Sequence, residues 1–594
     1  MSPARMMIAL VLVGASVLRP TPAFATPVEE RIVEDPLGAE AHALNRALRD
    51  RLREIGFTGS VEATLPERLG RPINRKLATV GRLLWFDTVT GLNDDNSCGG
   101  CHSPTNGFGD TQSIAIGIEN NNLVGPSRTG PRNQRRAPMV INNAFFPTLM
   151  WNSRFASLSG DPFDNSGGLS FPAPESLTLS YLPHLLTAQA FIPPTERNEV
   201  AGFDFVGDNF AIREEVLNRL NAIPEYVHLF GRVFPEVQLG APIDFDMFGQ
   251  AIAEFEFTLT FTDTPLDRFA RSKQSAMTNQ QKRGALLFFG EAGCVSCHAV
   301  SGGSNEMFSD FQQHVLAVPQ VSPDVTNSVF DGPGANEDFG LEQVTGNADH
   351  RYMFRTSPLR NLAMQTSFFH NGAFTTIEDA VRHHLDVFES ARNYDPGHLD
   401  EDLRGPVGPI EPALARVDPL LSQPIELSES EFEDLVAFLR EGLLDKRALP
   451  KNLMKLIPRE VPSGRPVMIF EEPAALVAEE LANDVEAAAV RPTRPEPASV
   501  AVAVNRLQQN YPNPFNPSTT IAFSLAARGR VSLVIYDALG ARVRSLLDDV
   551  RDAGVSSVGW DGRGDEGTEA ASGVYFCRMV AGSFNETRRL VLVR

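Results

Sequence analysis

The sequence has few cysteines, a deficit of cations and no apolar run long enough to span a membrane. Only five of its 594 residues are cysteine, and four of these stand in two short motifs, which excludes a disulfide framework. Lysine and arginine total 53 against 74 aspartates and glutamates, a formal net charge of -21. Because phosphate binding needs clustered cations, we expect no nucleic acid partner. No stretch of about eighteen apolar residues occurs, so no transmembrane helix is expected.

The sequence does contain the pattern Cys-x-x-Cys-His, twice. The copies are Cys98-Gly99-Gly100-Cys101-His102 and Cys294-Val295-Ser296-Cys297-His298. Two thiols at this spacing can each bond to a vinyl group of one haem, and the adjoining histidine then becomes an axial ligand of the iron. A redox dithiol or structural zinc is the alternative, but a four-thiolate zinc site would join motifs about two hundred residues apart and leave both histidines unused. The sequence therefore predicts two covalently bound c-type haems, on His102 and His298.

The N-terminal 25 residues have the pattern of a signal peptide. Arg5 lies in a charged leader, residues 6–18 form an apolar run, and Ala23-Phe24-Ala25 supplies small residues for cleavage. We therefore expect the protein to be exported, and the mature chain to be soluble or attached to a surface.

Apolar residues at helical spacing precede both motifs, at 77–86 and 282–289. A closing helix follows each motif, at 245–261 and 428–439, so the pattern indicates a duplicated helical unit that binds haem.

After residue 450 the composition changes. A stretch rich in proline, alanine, valine and glutamate, residues 462–500, is typical of a linker.

From residue 505 the apolar period becomes two, which predicts a small antiparallel β-sandwich. Cys577 in this part is interpreted as a small buried hydrophobe. The expected fold is therefore multidomain, with two mainly α-helical cytochrome c-like haem domains followed by a linker and the β-sandwich. The predicted segments are a signal peptide (1–25), an N-terminal lead-in (26–74), the first haem domain (75–268), the second haem domain (269–448), a linker (449–504) and the sandwich (505–594).

Several stretches around the two motifs match a known family. They are 81–87 (GRLLWFD), 136–138 (RAP), 142–145 (NNAF), 151–154 (WNSR), 354–361 (FRTSPLRN), 370–372 (HNG) and 376–381 (TIEDAV). Through them, residues 70–445 resemble the di-haem bacterial cytochrome c peroxidases, which include the MauG-type enzymes. The resemblance implies that the haem on His102 reacts with hydrogen peroxide, while the haem on His298 collects electrons from a small donor protein such as a cytochrome c or a cupredoxin. A homodimer is a further expected partner arrangement.

These two roles need different sixth ligands, an open position for peroxide and a strong ligand for electron transfer. Thr376 is a predicted N-cap of a helix on which Ile377, Val381 and His384 share one face. The resemblance places a methionine, or a tyrosine in MauG-type members, at the position of His384, which we therefore predict to be the sixth ligand of the second haem. Ligation by two histidines would lower the potential of this haem relative to Met/His ligation. The alternatives are His383 as ligand, or an ordinary buried histidine.

On the side of the first haem, some relatives carry a removable distal histidine where this sequence has Ile118. The haem on His102 is therefore expected to be high-spin and open to peroxide without prior reduction of the other haem, with His184 as the alternative ligand. The resemblance implies that Glu199 transfers the proton during peroxide cleavage, with Glu196 as the second choice. A solvated surface carboxylate is the alternative for either.

Two further features are implied between the domains. Trp151 matches an aromatic residue that lies between the haems in relatives, so we expect a role in electron transfer, with a packed tryptophan as the alternative. The family also places a calcium ion near the backbone oxygens of Thr356 and Pro358. Arg136 stands where an asparagine ligand is usual, and Asn133 is the candidate replacement, so calcium is predicted as an optional cofactor.

Residues 505–594 resemble the C-terminal sorting domain of type IX secretion cargo. The matching stretches are 509–517 (QNYPNPFNP), 553–554 (AG), 560–562 (WDG) and 572–575 (SGVY). The resemblance implies recognition by the type IX secretion machinery, with export to the periplasm and then to the cell surface or the exterior. A passive Ig-like module is the alternative.

The sequence therefore predicts a secreted di-haem c-type peroxidase that reduces hydrogen peroxide at its N-terminal haem with electrons relayed through its C-terminal haem. One alternative is a MauG-type oxidase that acts on a protein or a small organic substrate. The other is a non-catalytic electron carrier at the cell surface, which would need two six-coordinate irons.

Overall fold

The structure is a computed structural model, and it describes residues 36–170, 179–323, 329–472 and most of 505–593. The predicted signal peptide lies outside these residues. The chain divides into two compact units, one reaching residue 481 and the other beginning at residue 482. Among the described residues, none of the helices is both long enough and apolar enough to cross a membrane.

The first unit is mainly α-helical, as expected. Its α-helices are Pro36–Glu54, Leu65–Arg68, Arg75–Phe86, Cys98–Cys101, Leu185–Gln189, Asn209–Asn221, Pro224–Gly231, Pro235–Gln238, Phe245–Phe257, Pro265–Ala270, Asn279–Phe289, Glu342–Thr345, Ile377–Leu385, Val387–Arg392, Glu411–Leu414, Glu429–Ala437 and Pro450–Leu453. Its short strands are Leu123–Val124 paired with Ile469–Phe470, Thr148–Leu149 with Phe155–Ser157 and Leu169–Ser170, and Gln313–His314 with Phe354–Arg355. Long loops between these elements carry most of the residues that line the cavities.

The same helix crossing occurs twice in this unit. Arg75–Phe86, which precedes the first motif, packs across Phe245–Phe257. Asn279–Phe289, which precedes the second motif, packs across Glu429–Ala437. Each crossing belongs to its own apolar core. The duplication inferred from the sequence is therefore present in the fold.

A glycine lies at each crossing and allows the two helices to approach closely. A Cβ atom added to Gly81 would lie 1.8 Å from the carbonyl oxygen of Ala251, and one added to Gly284 would lie 1.9 Å from that of Asp434. Real Cβ atoms do not come so close to an oxygen, so any side chain would push the helices apart. The two domains thus depend on the same local device.

The structure differs from the sequence prediction at the start of the linker, which was expected at residue 449. Residues 450–472, which we call the strap, fold back onto the first haem domain. The strap begins with the helix Pro450–Leu453 and ends with Ile469–Phe470, which pairs in parallel with Leu123–Val124. Several of its apolar residues are buried there; Met468, for example, is 3% exposed. Residues 473–504 lie outside the described part of the chain.

The second unit consists of two antiparallel sheets. The four-stranded sheet has the order Arg542–Arg551, Gly529–Tyr536, Gly573–Ala581, Phe584–Leu592, and the three-stranded sheet has the order Gly554–Trp560, Thr519–Leu525, Arg506–Leu507. Buried residues of both sheets, such as Ile521 and Leu533, share one core, so the predicted β-sandwich is confirmed. Cys577 is fully buried in this core, and burial raises its pKa to about 12, as befits a thiol that acts as a small hydrophobe.

Candidate active site

The first Cys-x-x-Cys-His motif forms a single helical turn, Cys98–Cys101, that delivers His102 to a cavity of about 330 Å³. The Nδ1 atom of His102 lies 3.0 Å from the carbonyl oxygen of Pro138. With Nδ1 donating to this oxygen, Nε2 carries no proton and is available to a metal. Burial lowers the pKa of His102 to about 4, which keeps the ring neutral, as an axial ligand must be.

The second motif places His298 in a separate cavity of similar volume, and His384 lies opposite to it. The Nδ1 atom of His298 lies 3.0 Å from the carbonyl oxygen of Phe308, and that of His384 lies 2.8 Å from the carbonyl oxygen of Ala380. Both Nε2 atoms are therefore available, and the ring centroids are 6.1 Å apart. Two imidazoles bound to one metal ion from opposite sides, each at about 2 Å, have centroids about 6 Å apart. The pair thus has the spacing that a shared iron requires.

His383, the alternative ligand, is committed elsewhere. Its Nε2 lies 2.9 Å from the carbonyl oxygen of Leu316 and its Nδ1 lies 3.0 Å from the hydroxyl of Ser390. Both ring nitrogens are therefore occupied by hydrogen bonds within the protein, and His384 is the better candidate.

Trp151 forms part of the wall between the two cavities and lines both. Its indole Nε1 donates a hydrogen bond of 2.8 Å to the carbonyl oxygen of Arg136, and its own carbonyl oxygen accepts one of 2.8 Å from the backbone N–H of Arg355. The first bond orients the ring, and the second ties the backbone of Trp151 to that of Arg355. The tryptophan predicted to lie between the haem groups therefore has a position that suits this role.

Glu199 lines the first cavity from a π-helical turn, Arg197–Ala201. Burial raises its pKa to about 7, and the negative charge of Glu196 contributes in the same direction, while Arg154 opposes the shift. Glu196 forms an ion pair of 2.8 Å with Arg154, whereas the carboxyl group of Glu199 has no such partner within the described residues. Of the two candidate acid–base groups, Glu199 is thus the one left free to exchange a proton near neutral pH.

The loop that carries Ile118 is tied to the segment of Glu199. The backbone N–H of Ile118 donates to the carbonyl oxygen of Asn198 at 3.3 Å, and a Cβ atom on Gly117 would lie 2.1 Å from that oxygen. Among the described residues, His102 is the only histidine that lines the first cavity. A second histidine therefore does not face His102 there.

His184, the alternative ligand for the first haem, lies outside this cavity. Its Nε2 lies 3.0 Å from the carbonyl oxygen of Ala144, and its Nδ1 accepts a hydrogen bond of 3.0 Å from the backbone N–H of Leu186. Burial lowers its pKa to about 3. His184 is therefore a neutral residue that caps a helix.

Comparisons with known proteins relate part of the chain to di-haem proteins. Residues 75–275 match the family described as di-haem cytochrome c peroxidase. The chain is 27% identical to the methylamine utilization protein MauG of Methylorubrum extorquens over 376 residues. The alignment covers 63% of this chain and 80% of that protein. It is 26% identical over 358 residues to the cytochrome c551 peroxidase of Pseudomonas aeruginosa, which covers 60% of this chain and 81% of that one. The chain contains a domain of the di-haem cytochrome c peroxidase and MauG family.

Two further comparisons concern the fold and the C-terminal unit. A crystal structure of a MauG-like protein associated with microbial copper homeostasis is 23% identical, with a TM-score of 0.45, over 64% of this chain and 92% of that one. Residues 515–583 match the family described as FlgD Ig-like domain. This match agrees with the β-sandwich, while the assignment to type IX sorting stays a prediction.

A di-haem family member needs residues that compensate the negative haem propionates, and two buried arginines fit. Arg136 and Arg355 both line the two cavities, and neither forms an ion pair among the described residues. The Nε atom of Arg136 is buried without a hydrogen-bond partner. Burial lowers the pKa of each guanidinium to about 10, and for Arg136 the charge of Asp110 opposes the shift. Both side chains could donate charge-assisted hydrogen bonds to haem propionates.

The sequence analysis missed Glu256 as a cavity residue. This glutamate lies on the helix Phe245–Phe257, is 3% exposed and accepts a hydrogen bond of 3.0 Å from the side chain of Asn143. Burial raises its pKa to about 8, so a proton is retained at neutral pH. The available signal was an acidic residue between Phe255 and Phe257 on an otherwise apolar helix face.

The surroundings of the predicted calcium site are less favourable to a cation. The carbonyl oxygen of Thr356 already accepts a hydrogen bond of 2.7 Å from the hydroxyl of Ser309. The side chain of Arg136 is itself a buried cation at the wall between the cavities. Calcium therefore stays a prediction from the resemblance, and metal analysis of the purified protein would decide it.

Proposed function

We propose that the protein is an exported di-haem peroxidase that reduces hydrogen peroxide at the haem on His102, with electrons relayed through the haem on His298. The observation that carries this proposal is the difference between the two cavities. His298 faces a second histidine, His384, whereas His102 faces none among the described residues and shares its cavity with Glu199. The site of His298 and His384 suits electron storage, and the site of His102 suits the reaction with peroxide.

When bound, the haem groups supply the iron that accepts the peroxide and the redox equivalents for its cleavage. The overall reaction takes one hydrogen peroxide, two electrons and two protons to two water molecules. Heterolysis requires that the proton on the inner oxygen move to the outer one, which then leaves as water. Glu199 is the group we assign to this transfer, because its raised pKa lets it accept and return a proton near neutral pH.

In the second cavity, His298 and His384 would hold the iron from both sides, and two fixed ligands limit rearrangement when the redox state changes. Trp151 would carry the electron across the wall between the cavities. The electrons would come from a small donor protein such as a cytochrome c or a cupredoxin, and the acidic net charge of the chain favours a basic donor. Hydrogen peroxide is the substrate.

The first experiment is to record absorption and EPR spectra of the oxidised, fully haem-loaded protein before and after one equivalent of hydrogen peroxide. We expect one high-spin and one low-spin haem, with a fast spectral change at the high-spin haem. Two low-spin haems that do not respond to peroxide, in both the oxidised and the half-reduced protein, would refute the peroxidase function. The non-catalytic electron carrier would then be the remaining alternative.

A MauG-type oxidase is the second candidate. It is favoured by Ile118, which stands where some relatives carry a removable distal histidine, and by the 27% identity to a MauG protein. In that case the oxidising equivalents would be used on a protein or a small organic molecule. Turnover of peroxide with a reduced cytochrome c, measured with and without added organic substrates, separates the two enzymes.

We further propose export by the signal peptide and delivery to the cell surface or the exterior by the type IX secretion machinery. The support is the leader pattern at residues 1–25 and the sorting-domain stretches within 505–594. Removing the C-terminal unit in a host that possesses this machinery should leave the protein in the periplasm. Unchanged delivery would mean that the C-terminal unit is a passive Ig-like module.

Whether the protein forms a homodimer is tested by sedimentation of the purified protein.

A further inference from the structure

The strap, residues 450–472, is anchored along the region that surrounds the first haem motif. The hydroxyl of Ser463 donates a hydrogen bond of 2.6 Å to the carboxylate of Asp87, which is fully buried. Arg465 pairs with Asp94 at 2.9 Å. The backbone N–H of Ile469 donates to the carbonyl oxygen of Asn122 at 3.1 Å, at the start of the parallel strand pair. These contacts follow one another along the strap, so it is fastened over its length.

The end of the strap covers the two residues between Cys98 and Cys101. The ring of Phe470 packs edge-on against Phe86 with centroids 5.6 Å apart, and a Cβ atom on Gly99 would lie 3.3 Å from Phe470. A Cβ atom on Gly100 would lie 3.1 Å from the sulfur of Met468 and 2.0 Å from the side chain of Asn96. Both glycines are buried. The glycines in this motif are thus what lets the strap and its neighbours lie directly on the attachment segment.

Among the described residues, no segment covers the second motif in this way. The corresponding residues are Val295 and Ser296, and Ser296 is exposed, as is Gly293 just before the motif. A Cβ atom on Gly293 would meet no atom within 4 Å. The two attachment segments therefore differ in accessibility although the helices around them are arranged alike.

From this difference we propose that the strap closes the attachment edge of the first haem to electron-carrying proteins, so that their electrons are taken up at the second haem. Cys98 and Cys101 would hold a haem in the segment that the strap covers, and electron transfer slows steeply as a donor is held away. In this transfer the donor protein would lose one electron, which the group held by His298 would accept and then pass to the group held by His102. This inference rests on the proposed division of roles and adds to it the element that prevents direct reduction of the reactive haem.

The first test measures whether the side chains of Met468 and Phe470 keep the attachment segment covered. The holoprotein with Met468→Ala and Phe470→Ala is compared with Ile469→Ala, whose side chain is 57% exposed on the same strand. Because truncating buried apolar side chains weakens local packing, amide hydrogen exchange in peptides spanning residues 96–101 should become about 30-fold faster or more in the double variant. The Ile469 control should match the wild type.

The second test measures the route of the electron. Each protein is mixed with a reduced basic mono-haem cytochrome c, and freeze-quenched EPR follows the low-spin signal of the second haem and the high-spin signal of the first. In the wild type and the control, the high-spin signal should decay only after the low-spin one. In the double variant, the high-spin signal should decay at the same time as the low-spin signal, because the first haem is then reduced directly by the donor.

Two results would overturn the proposal: parallel decay already in the wild type, or an unchanged sequence of decays in the double variant despite faster exchange. If the double variant does not retain both haems, Ser463→Ala with Arg465→Ala loosens the strap at its polar anchors and is judged by the same two criteria. Peroxide is absent from both tests, so a failure of the strap proposal is distinguishable from a failure of the peroxidase proposal.

Discussion

The two haem-binding domains are built on the same helix crossing and yet surround their histidines differently. In the second domain, His384 faces His298 at a ring separation of 6.1 Å. In the first, the space opposite His102 is shared by loops, with Glu199 at its wall. The scaffold is therefore repeated while the chemistry is set by loops and by one helix between the repeated elements. On the proposed roles, a duplicated fold would in this way separate electron storage from peroxide cleavage.

The contrast between the two haem-binding domains depends most strongly on His384 being a ligand of the second haem. Substituting His384 with alanine should convert the second haem from low-spin to high-spin, because one axial ligand is lost, and the low-spin EPR signal should disappear entirely. His383→Ala is the matched control, since both ring nitrogens of His383 are already hydrogen-bonded. A low-spin signal that survives His384→Ala, or one that disappears in His383→Ala with both haems retained, would show that the ligand is assigned wrongly.

The difference between the cavities predicts a second large effect, at Glu199. Glu199→Gln keeps the shape of the side chain and removes the base, so the rate of reaction with peroxide should fall by about 100- to 10,000-fold. Glu196→Gln should have a much smaller effect, because Glu196 is paired with Arg154. Stopped-flow absorption at the high-spin haem measures both. Equal rates in the wild type and Glu199→Gln would remove Glu199 from the mechanism.

The shared scaffold predicts that the two crossing glycines are equivalent. Gly81→Ala and Gly284→Ala should each lower the free energy of unfolding by about 1–3 kcal/mol, because the new methyl group collides with a carbonyl oxygen of the facing helix. Thr79→Ala, on the exposed side of the first of these helices, is the control. Denaturant unfolding of the holoproteins gives the values. A loss at only one of the two glycines would mean that the crossings are not alike.

The smallest of these effects is the pH dependence of the peroxide reaction. Glu199 must be ionised to accept a proton, and its pKa is raised to about 7. The rate should therefore rise as the pH increases through about 7, and fall about tenfold per pH unit below it. This limb should be missing in Glu199→Gln. A profile that is flat from about pH 5 to about pH 8 in the wild type would contradict the assignment.

Much of the fold was predictable because its signals are local. The helical periodicity before each motif, the N-cap at Thr376 and the alternation after residue 505 each depend on neighbouring residues. The strap was not predictable from its proline-containing, mixed sequence. Its burial depends on Met468 meeting Gly100, residues far apart in the chain. Arg355 and Glu256 were missed for the same reason, since the burial of a charged side chain depends on the whole cavity.

By itself, the amino-acid sequence predicted where each haem is attached and which histidine adjoins it, and it determined that the helical unit occurs twice, because these depend on short spacings. Only the tertiary structure decided that His384 and not His383 faces His298, that Glu196 and not Glu199 forms an ion pair among the described residues, and that Trp151 borders both cavities. The physical reason is that distances between remote residues, and the loss of water around a charge, come into being only when the chain packs.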